Sequence, residues 1–594
     1  MAIQDIIDLD MLKQGSSERR GESVSETHLQ GNSSIMVLEA ERLTKRNDFS
    51  HEEAKPSRLP GLEWLLASSC RIDKLPKWYA IFAKFVPTIL HRLHVSLLIE
   101  HCRTTILAPL RGPEARSIHT ALSASSAREP TNYQRLEFLG DSILKLATSI
   151  MLMARHVRYP ESILTRMKEH IVSNAKLART AISTSLDQFI ITEWFTGAKW
   201  KPPYKANFTS PPSKGRREIS TKILADVVEA LIGASFVAGD FQASIACLEV
   251  FLPDEPWSII SRAFDIFSDI YEHRSQIKTV VDVAETLVNY TFSQKALVVE
   301  ALTHSSHQGT GVFAPYERLE FLGDSVLDMM VTNLAYNHEP PLPVKRLHLI
   351  RSVLVNADYL AYLCFSYSVT SEQTQPVTSD PRNITTIQHL ETIHIWQLLR
   401  YASPTIRNAL SASLKRLEEL KPVISDVLSH GNAHPWTLLA RVGLPKPFSD
   451  IIESIVGAIY IDSKGSMTQC EQFLDRLGLI GYLNRVMNEN IALLHPKEDL
   501  GQLSDQDEVR YEMRAKGEGP ERKYHCTVVV GTRQIASATG QGRFETETMA
   551  AEIACSVLRE ERMELDVQRD RDCVSDTPNS DSGEEDEGSL LSDG

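Results

Sequence analysis

The sequence lacks the cysteine patterns that mark zinc sites and disulfide-rich secreted domains. Its eight cysteines stand singly, without a CxxC pair or the spacing of zinc ligands. It also lacks the run of about 18 apolar residues that a transmembrane helix needs. The N-terminal stretch MAIQDIIDLD has neither the basic nor the apolar region of a secretory signal. These absences predict a reduced protein that stays inside the cell, in the cytoplasm, the nucleus or both, without membrane contact.

Basic charge is also scarce, because 63 Lys and Arg stand against 77 Asp and Glu, a net charge of −14. Much of this charge lies in residues 564–594, where eleven acids and two arginines leave about −9. That segment has few large apolar groups, which predicts a disordered acidic tail over 563–594. The rest of the chain is only mildly acidic, so charge does not exclude a nucleic-acid partner.

One octapeptide occurs twice. RLEFLGDS begins at Arg135 and again at Arg318, 183 positions later. Two further segments repeat in the same order: LTRMKEHIVSNAKLA at 164–178 corresponds to VKRLHLIRSVLVNADYLA at 344–361, and TKILADVVEALIGASFV at 221–237 corresponds to PKPFSDIIESIVGAIYI at 445–461. Three matches in one order, each apolar at helical spacing, predict a duplicated all-helical domain.

The repeat organises the rest of the chain. The predicted divisions are a disordered segment over 1–58 with a short helix near 35–43, a helical connector over 59–110, a first repeated domain over 111–252, a linker over 253–278, a second repeated domain over 279–465 with a helical insertion at about 370–440, a helical spacer over 466–494, a terminal module over 495–562, and the tail. Alternating apolar residues and Gly-containing turns predict an α-β-β-β-α order in the terminal module. The fold class is therefore mainly α.

Acidic residues in each copy share helix faces. The spacing i,i+4 and then i,i+3 joins Glu137 with Asp141 and Asp226 with Glu229 in the first copy, and Glu320 with Asp324 and Asp450 with Glu453 in the second. An isolated pair of this kind is usually solvated and has no function. The second pair, however, lies in ILADVVEALIGASF, which is too apolar to face water on all sides.

Four carboxylates in one crevice cannot all stay ionised unless cations neutralise them. Oxygen ligands without His or Cys favour Mg²⁺, for which Mn²⁺ can substitute. Carboxylate-bound cations of this type are the usual apparatus of phosphodiester hydrolysis. Lys222 and Lys446 each stand four residues before the motif aspartate. They could steady a scissile phosphate, orient the acids, or be ordinary solvated lysines.

RLEFLGDS with the downstream LADVVEALIGA resembles the ribonuclease III signature, and the terminal module resembles a double-stranded-RNA-binding domain. Two nuclease domains followed by such a module are similar to the C-terminal half of the Dicer family, especially its fungal, antiviral branch. The resemblance implies that the four acids of each copy bind Mg²⁺ and are catalytic, that Lys222 and Lys446 assist them, and that Asn174 and Asn356 support the sites. It also implies that the copies pair as an intramolecular pseudo-dimer in a monomeric chain.

By the same resemblance, each domain cuts one strand of double-stranded RNA, and the products are short duplexes with 5′-phosphates and 3′ overhangs, as in RNA silencing and antiviral defence. The first copy departs from the pattern at Gln134, where the second has Glu317, and the chain shows no GxxxxGK[ST] helicase motif. The alternative hypothesis is a non-catalytic RNA-binding scaffold descended from such an enzyme.

Two segments could contact RNA or serve other purposes. Where the family's terminal module has a lysine pair, this chain has Arg543 and Phe544, followed by acids, so the module could bind a protein partner as well as RNA. The loop inserted in the first copy combines cations with aromatic residues and could bind RNA or be solvated; the residues are Lys199, Lys201, Lys205, Lys214, Arg216 and Arg217 with Trp200, Tyr204 and Phe208.

Overall fold

The structure is a computed structural model that describes residues 37–41, 62–66, 76–110, 112–195, 219–271, 278–307, 315–380, 383–505, 507–517 and 522–575. The chain divides into two compact units. The first unit comprises Met1–Asp269 and Asp328–Leu347, and the second comprises Ile270–Leu327 and His348–Gly594. The cationic loop predicted between Lys199 and Arg217 lies outside the described residues.

The first unit contains the first copy of the repeat. Its elements are β1 (Val37–Glu41), β2 (Leu62–Leu66), α1 (Lys77–Thr104), α2 (Ala115–Leu122), α3 (Gln134–Arg155), α4 (Glu161–Val172), α5 (Asn174–Ser183), α6 (Thr221–Ala238), α7 (Phe241–Phe251) and α8 (Ala263–Tyr271). Helix α6 is buried along most of its length and packs against α3, α5, α2 and α7. This central helix explains why the segment around ILADVVEALIGASF is apolar on every face.

The second unit contains the second copy, its insertion and the terminal module. Its elements are α9 (Lys278–Val288), α10 (Lys295–Ala301), α11 (Glu317–Tyr336), α12 (Val344–Leu354), α13 (Ala357–Ser366), β3 (Ser368–Asp380), β4 (Asn383–His394), α14 (Pro404–His430), α15 (Trp436–Val442), α16 (Pro447–Asp462), α17 (Met467–Arg476), α18 (Leu479–Asn488), α19 (Pro496–Leu503), β5 (Val509–Lys516), β6 (Lys523–Val530), β7 (Arg533–Gly540) and α20 (Arg543–Ser575).

The repeated segments form equivalent helices. The octapeptide lies in α3 and in α11, the middle segment forms α4–α5 and α12–α13, and the last segment forms α6 and α16. Helix α16 is central in the second unit, where it packs against α10, α13 and α17. The predicted all-helical duplication is confirmed.

Helix α11 is divided between the units, since its residues from Asp328 onward cluster with the first unit. Arg135, the first residue of the octapeptide in α3, donates hydrogen bonds to the carbonyl oxygens of Tyr336, at 2.8 Å, and Leu342. Ser142 donates to a carboxylate oxygen of Asp328 at 2.7 Å. Polar groups of the first octapeptide therefore hold the end of the second copy's helix within the first unit.

Two N-terminal predictions were wrong. The expected short helix near residues 35–43 is strand β1, and part of the expected helical connector is strand β2, which pairs with β1 in antiparallel register from Val37 with Leu66 to Glu41 with Leu62. Apolar spacing within LEWLL is compatible with either structure, and a partner more than twenty residues away decides it. In the described remainder of the connector, α1 is helical over Lys77–Thr104, as predicted.

Helix α1 is long and apolar enough, by length and composition alone, to cross a membrane. A single helix of this kind is weak support for a membrane span, because core helices of water-soluble domains pass the same test. Within the first unit α1 packs against α2, and its buried His91 has Nε2 at 3.2 Å from a carboxylate oxygen of Glu129. These contacts join α1 to the first copy.

The insertion in the second copy contains more than the predicted helices. Helix α14 confirms the helical part, but residues 368–394 form a two-stranded antiparallel hairpin, β3–β4. The hairpin sequence is rich in Thr, Val and Ile, which favour strands, although Pro376 and many polar residues obscure the pattern.

The terminal module has the predicted order α19-β5-β6-β7-α20, with antiparallel strands in the order β5-β6-β7. Helix α20 continues to Ser575, so the predicted disordered tail begins too early.

Candidate active sites

Each candidate site lies where two helices touch through their backbones. In the first copy, a Cβ on Gly140 of α3 would stand 1.8 Å from the carbonyl oxygen of Glu229 in α6, and one on Gly233 would stand 2.2 Å from the carbonyl oxygen of Leu136. Only glycine permits this approach. The crossing brings the octapeptide's acids beside those of the downstream motif, and it accounts for the glycine in both segments.

The first site contains three carboxylates that converge. Glu137 from α3 and Asp226 and Glu229 from α6 offer oxygen atoms that all lie within 4.8 Å of one another. Asp226 and Glu229 are each only 6% exposed. Three acids at this distance repel one another unless protons or a cation reduce their charge. The structure thus unites three of the four acids predicted for this site.

The fourth predicted acid, Asp141, lies outside this cluster and has a cation beside it. Lys145, one helical turn later in α3, has Nζ at 2.7 Å from an Asp141 carboxylate oxygen. Asp141 is still close enough for its charge to raise the pKa of Glu229. Asp141 therefore belongs to the electrostatic surroundings of the cluster, where it forms an ion pair with Lys145.

Burial and repulsion perturb the acids of the first site. Burial, followed by the charges of Asp141, Glu137 and Asp226, raises the pKa of Glu229 to about 9. Burial also raises the pKa of Asp226, while the hydrogen bond from Tyr133 and the charge of Lys222 act in the opposite direction. With a pKa of about 9, Glu229 carries a proton at neutral pH when no cation is bound. This site therefore favours a positively charged ligand.

The second site repeats the arrangement. Glu320 from α11 and Asp450 and Glu453 from α16 offer oxygen atoms within 4.8 Å of one another. Gly323 and Gly457 form the same backbone crossing, with a Cβ on Gly323 1.8 Å from the carbonyl oxygen of Glu453.

Asp324 lies outside this cluster, as Asp141 does in the first site. Burial, followed by the charges of Asp324, Asp450 and Glu320, raises the pKa of Glu453 well above its usual value. The two copies thus place the same acid types in the same relationship.

The two motif lysines have different surroundings. Lys446 has Nζ at 2.9 Å from a Glu320 oxygen and 2.7 Å from an Asp450 oxygen, so it bridges both helices of the second site. Burial lowers the pKa of Lys446, but these hydrogen bonds raise it overall. Lys222 is exposed, and its charge lowers the pKa of Asp226. Among the three predicted roles, orienting the acids fits the metal-free position of Lys446.

A tyrosine in each copy was missed by sequence reasoning. Tyr133 donates a hydrogen bond from its hydroxyl to Asp226 at 3.0 Å, and Tyr316 donates one to Asp450 at 3.1 Å. Each tyrosine stands two positions before the octapeptide's arginine, so the repeat extends beyond RLEFLGDS to include it. Groups that bond to a ligand carboxylate fix its orientation. The recurrence of Tyr at that position in both copies was the sequence signal that could have identified these two residues.

The two asparagines predicted to support the sites act locally on helix ends. Asn356 caps α13, where its side-chain oxygen accepts from the backbone N–H groups of Asp358 and Tyr359. In the first copy Ser173 is the cap, accepting from the N–H of Lys176, and Asn174 is the first residue of α5. A supporting role for either asparagine stays a prediction.

The terminal module has few unpaired cations where its last helix begins. Glu547 accepts from Arg543 Nε at 3.0 Å and also pairs with Lys497 from α19. Burial raises the pKa of Glu547, but its hydrogen bonds to Lys497 and Arg543 lower it overall. Glu545 caps the helix by accepting from the backbone N–H groups of Gln541 and Gly542. One acid thus pairs with both cations, which reduces the positive charge that this edge offers to a phosphate.

Two domains of the chain match a known family. Residues 134–240 and 317–464 each match the ribonuclease III domain, and residues 489–591 match the dsRNA binding domain of Dicer-like protein 2. These matches cover both carboxylate clusters and the terminal module. The chain belongs to the ribonuclease III family, as a tandem-domain member with a dsRNA-binding module of the Dicer-like type.

Its relatives include curated fungal proteins. The chain is 40% identical over 540 residues to Dicer-like protein 2 of Coccidioides immitis, covering 88% of this chain and 37% of that one. It is 34% identical over 547 residues to Dicer-like protein 2 of Cryphonectria parasitica, covering 88% and 38%. The chain therefore spans less than two fifths of the length of these relatives. Among solved structures it overlaps Dicer from Giardia intestinalis with a TM-score of 0.33 and 14% identity, covering 80% and 76%.

The residues present fit a divalent cation. Each cluster offers only carboxylate oxygens, which hard cations prefer, and each contains a glutamate whose pKa is raised by burial and by the charges of neighbouring acids. Divalent-metal dependence is general among ribonuclease III domains, and both matched domains retain the acids for it.

Proposed function

We propose that the chain is a Mg²⁺-dependent endoribonuclease that cleaves double-stranded RNA, with each ribonuclease III domain cutting one strand. Its products are short duplexes with 5′-phosphates and 3′ overhangs, and its role is in RNA silencing and antiviral defence. The observation that carries the proposal is the pair of equivalent three-carboxylate clusters, each with oxygen atoms within 4.8 Å. The names of the fungal relatives and the matched dsRNA-binding domain support the choice of substrate.

In this proposal the eight predicted acids divide into two roles. Glu137, Asp226 and Glu229 hold the cation in the first domain, and Glu320, Asp450 and Glu453 hold it in the second. Asp141 and Asp324 contribute charge from just outside each cluster. The bound cation supplies an activated water and stabilises the leaving oxygen. Mg²⁺ fits the oxygen donors, and Mn²⁺ can replace it because it accepts the same ligands.

The chain's own groups prepare each site for that cation. Tyr133 and Tyr316 fix the orientation of Asp226 and Asp450 through hydroxyl hydrogen bonds. Glu229 carries a proton at neutral pH in the metal-free protein, and this proton leaves when a cation binds. Lys446 pairs with two carboxylates of the second site, and a cation bound by those carboxylates would free its ammonium group for an RNA phosphate.

The remaining partners follow from the same proposal. The copies act as an intramolecular pseudo-dimer in a monomeric chain, so one molecule presents both sites to one duplex. The protein works inside the cell, in the cytoplasm, the nucleus or both. The terminal module binds double-stranded RNA, and its neutralised helix end favours a protein as an additional partner at that edge.

A cleavage assay tests the proposal. A long RNA duplex, end-labelled on each strand in turn, is incubated with the protein in Mg²⁺, in Mn²⁺ and in EDTA. The expected result is metal-dependent cutting of both strands and no cutting in EDTA. Single-stranded RNA of the same sequence is the control and should remain intact. Binding of the duplex without cutting under any metal condition would refute the enzyme hypothesis and favour the non-catalytic RNA-binding scaffold.

A further inference from the structure

The charged surroundings of the two sites differ within the helix that carries the octapeptide. One helical turn after the octapeptide's aspartate, the first copy has Lys145 and the second has Asp328. Lys222 and Lys446 occupy equivalent positions, so a lysine there is common to both copies. The exchange of Lys145 for Asp328 changes the local charge from positive to negative.

The structure gives these two residues different contacts. Lys145 Nζ lies 2.7 Å from an Asp141 oxygen, and Asp141 is the acid that stays outside the first cluster. The i,i+4 order with the acid first is the favourable orientation on a helix, so the pair needs no tertiary support. Asp328, in contrast, accepts a hydrogen bond from Ser142 at 2.7 Å.

The position of Lys145 sets its effect on the first cluster. Its ammonium group pairs with Asp141, which lies one helical turn after Glu137 of the cluster. A positive charge held at this position repels a cation bound by the cluster. A cation that recruits Asp141 as a further ligand must in addition break the ion pair with Lys145.

We infer that Lys145 is a positioning residue that lowers the metal affinity of the first site by pairing with Asp141 and repelling the bound cation. The first site therefore requires more free metal than it would with a neutral residue at this position. The inference rests on the proposed function, because it concerns the metal of the same site. It predicts that the strand cut by the first domain is the one more sensitive to metal supply.

The test measures metal binding without RNA. The parent is the full chain carrying Glu453→Gln, which weakens the second site, and free Mn²⁺ is followed by its electron paramagnetic resonance signal during titration. In this parent, Lys145→Met should tighten Mn²⁺ binding on the order of tenfold, the scale expected for one nearby unit charge. Lys145→Arg keeps the charge and should bind Mn²⁺ like the parent.

Controls separate the possible results. Lys145→Gln repeats the neutralisation with a polar side chain, and thermal unfolding of each variant identifies any that fail to fold. Unchanged or weaker Mn²⁺ binding in the folded Met and Gln variants would overturn the inference, and weaker RNA binding with unchanged Mn²⁺ affinity would assign Lys145 to RNA contact. Mn²⁺ binding without any RNA cleavage would instead refute the proposed function and leave the inference intact.

Discussion

Gly323 and Glu453 touch through their backbones, because a Cβ on Gly323 would lie 1.8 Å from the carbonyl oxygen of Glu453. The contact fixes the distance between α11 and α16, and with it the distance between Glu320 and the acids of the downstream helix. A side chain at Gly323 must push the helices apart. The chemistry of the second site thus depends on a residue that carries no functional group.

Replacement of Gly323 by alanine should therefore destabilise the protein by about 3 kcal/mol, as expected for overpacking against a rigid backbone. Urea unfolding of the metal-free protein measures the change in the free energy of unfolding. Gly481→Ala is the matched control, because nothing lies within 4 Å of a Cβ there and alanine favours the helix. A Gly323→Ala variant as stable as the parent would contradict the close approach of the helices.

Removing one glutamate of a cluster should disable one site only. We expect Glu229→Ala to leave cutting of one strand and Glu453→Ala to leave cutting of the other, because the clusters consist of separate residues. Each variant should therefore nick a duplex, and the double variant should not cut. Strand-specific end labels measure both outcomes on one gel. Loss of all cutting from either single change would refute the assignment of one strand to each domain.

The tyrosine hydroxyls should affect metal binding without affecting the fold. Tyr316→Phe removes the hydrogen bond to Asp450 and should weaken Mn²⁺ binding at the second site by about 10-fold to 100-fold, the usual effect of losing a group that orients a ligand. The measurement is a Mn²⁺ titration in a Glu229→Gln background. Tyr524→Phe in strand β6 of the terminal module is the control and should change nothing. Equal Mn²⁺ affinity in the Tyr316→Phe and Tyr524→Phe variants would show that the Tyr316 hydroxyl does not contribute to metal binding at the second site.

The metal-free protein should lose stability as the pH rises. The pKa of Glu229 is raised from 4.5 to about 9, so the folded state binds more protons than the unfolded state between these values. Its contribution to stability is complete below about pH 4.5 and is lost as the pH rises toward 9, by up to about 1.4 kcal/mol per pH unit.

Glu229→Gln should remove this dependence, so that the variant gains stability over the parent as the pH increases. Urea unfolding in EDTA at a series of pH values gives the difference in the free energy of unfolding. Glu560→Gln, at an exposed position of α20, makes the same chemical change away from both sites and serves as the control. A parent and a Glu229→Gln variant whose stability difference is constant across this range would show that Glu229 ionises normally.

Glu547 should limit RNA binding by the terminal module. Glu547→Lys frees Lys497 and Arg543 from their ion pairs and adds a third cation, so the full chain should bind duplex RNA more tightly. The slope of log affinity against log salt should also steepen, since additional phosphate contacts release more counterions. Fluorescence anisotropy over a salt series measures both effects. Glu560→Lys makes the same charge change elsewhere on α20, and an equal gain there would assign the effect to net charge alone.

Helical periodicity carried most of the information about the repeated domains. The acids of α3 and α6 could be predicted to meet because each pair lies on one helix face, and the apolar sequence of α6 required burial. Strands β1 and β2 could not be predicted in this way, since their structure depends on pairing between distant segments. The hairpin β3–β4 was missed because its alternating residues are largely polar and mixed with Pro376.

Some details of the sites could likewise be predicted from helical spacing, and others depend on how distant segments pack. Lys145 stands at i+4 from Asp141, so their ion pair was available from helical spacing. The exclusion of Asp141 and Asp324 from the clusters was not, because it depends on side-chain positions after the helices have crossed. The pairing of Glu547 with Lys497 joins α19 to α20, and sequence spacing holds no information about such a contact.

Because helix α11 is divided between the two units, the fold favours keeping both copies of the repeat, independently of their chemistry. The first turn of this helix carries Glu320 of the second carboxylate cluster, yet its end is held in the first unit by Arg135 and Ser142. A lineage that lost the acids of one copy could not discard that copy without also removing the contacts that hold the end of α11. Selection for folding would preserve such a copy after selection for cleavage had ended, so an inherited domain in this architecture is no guarantee of an inherited activity.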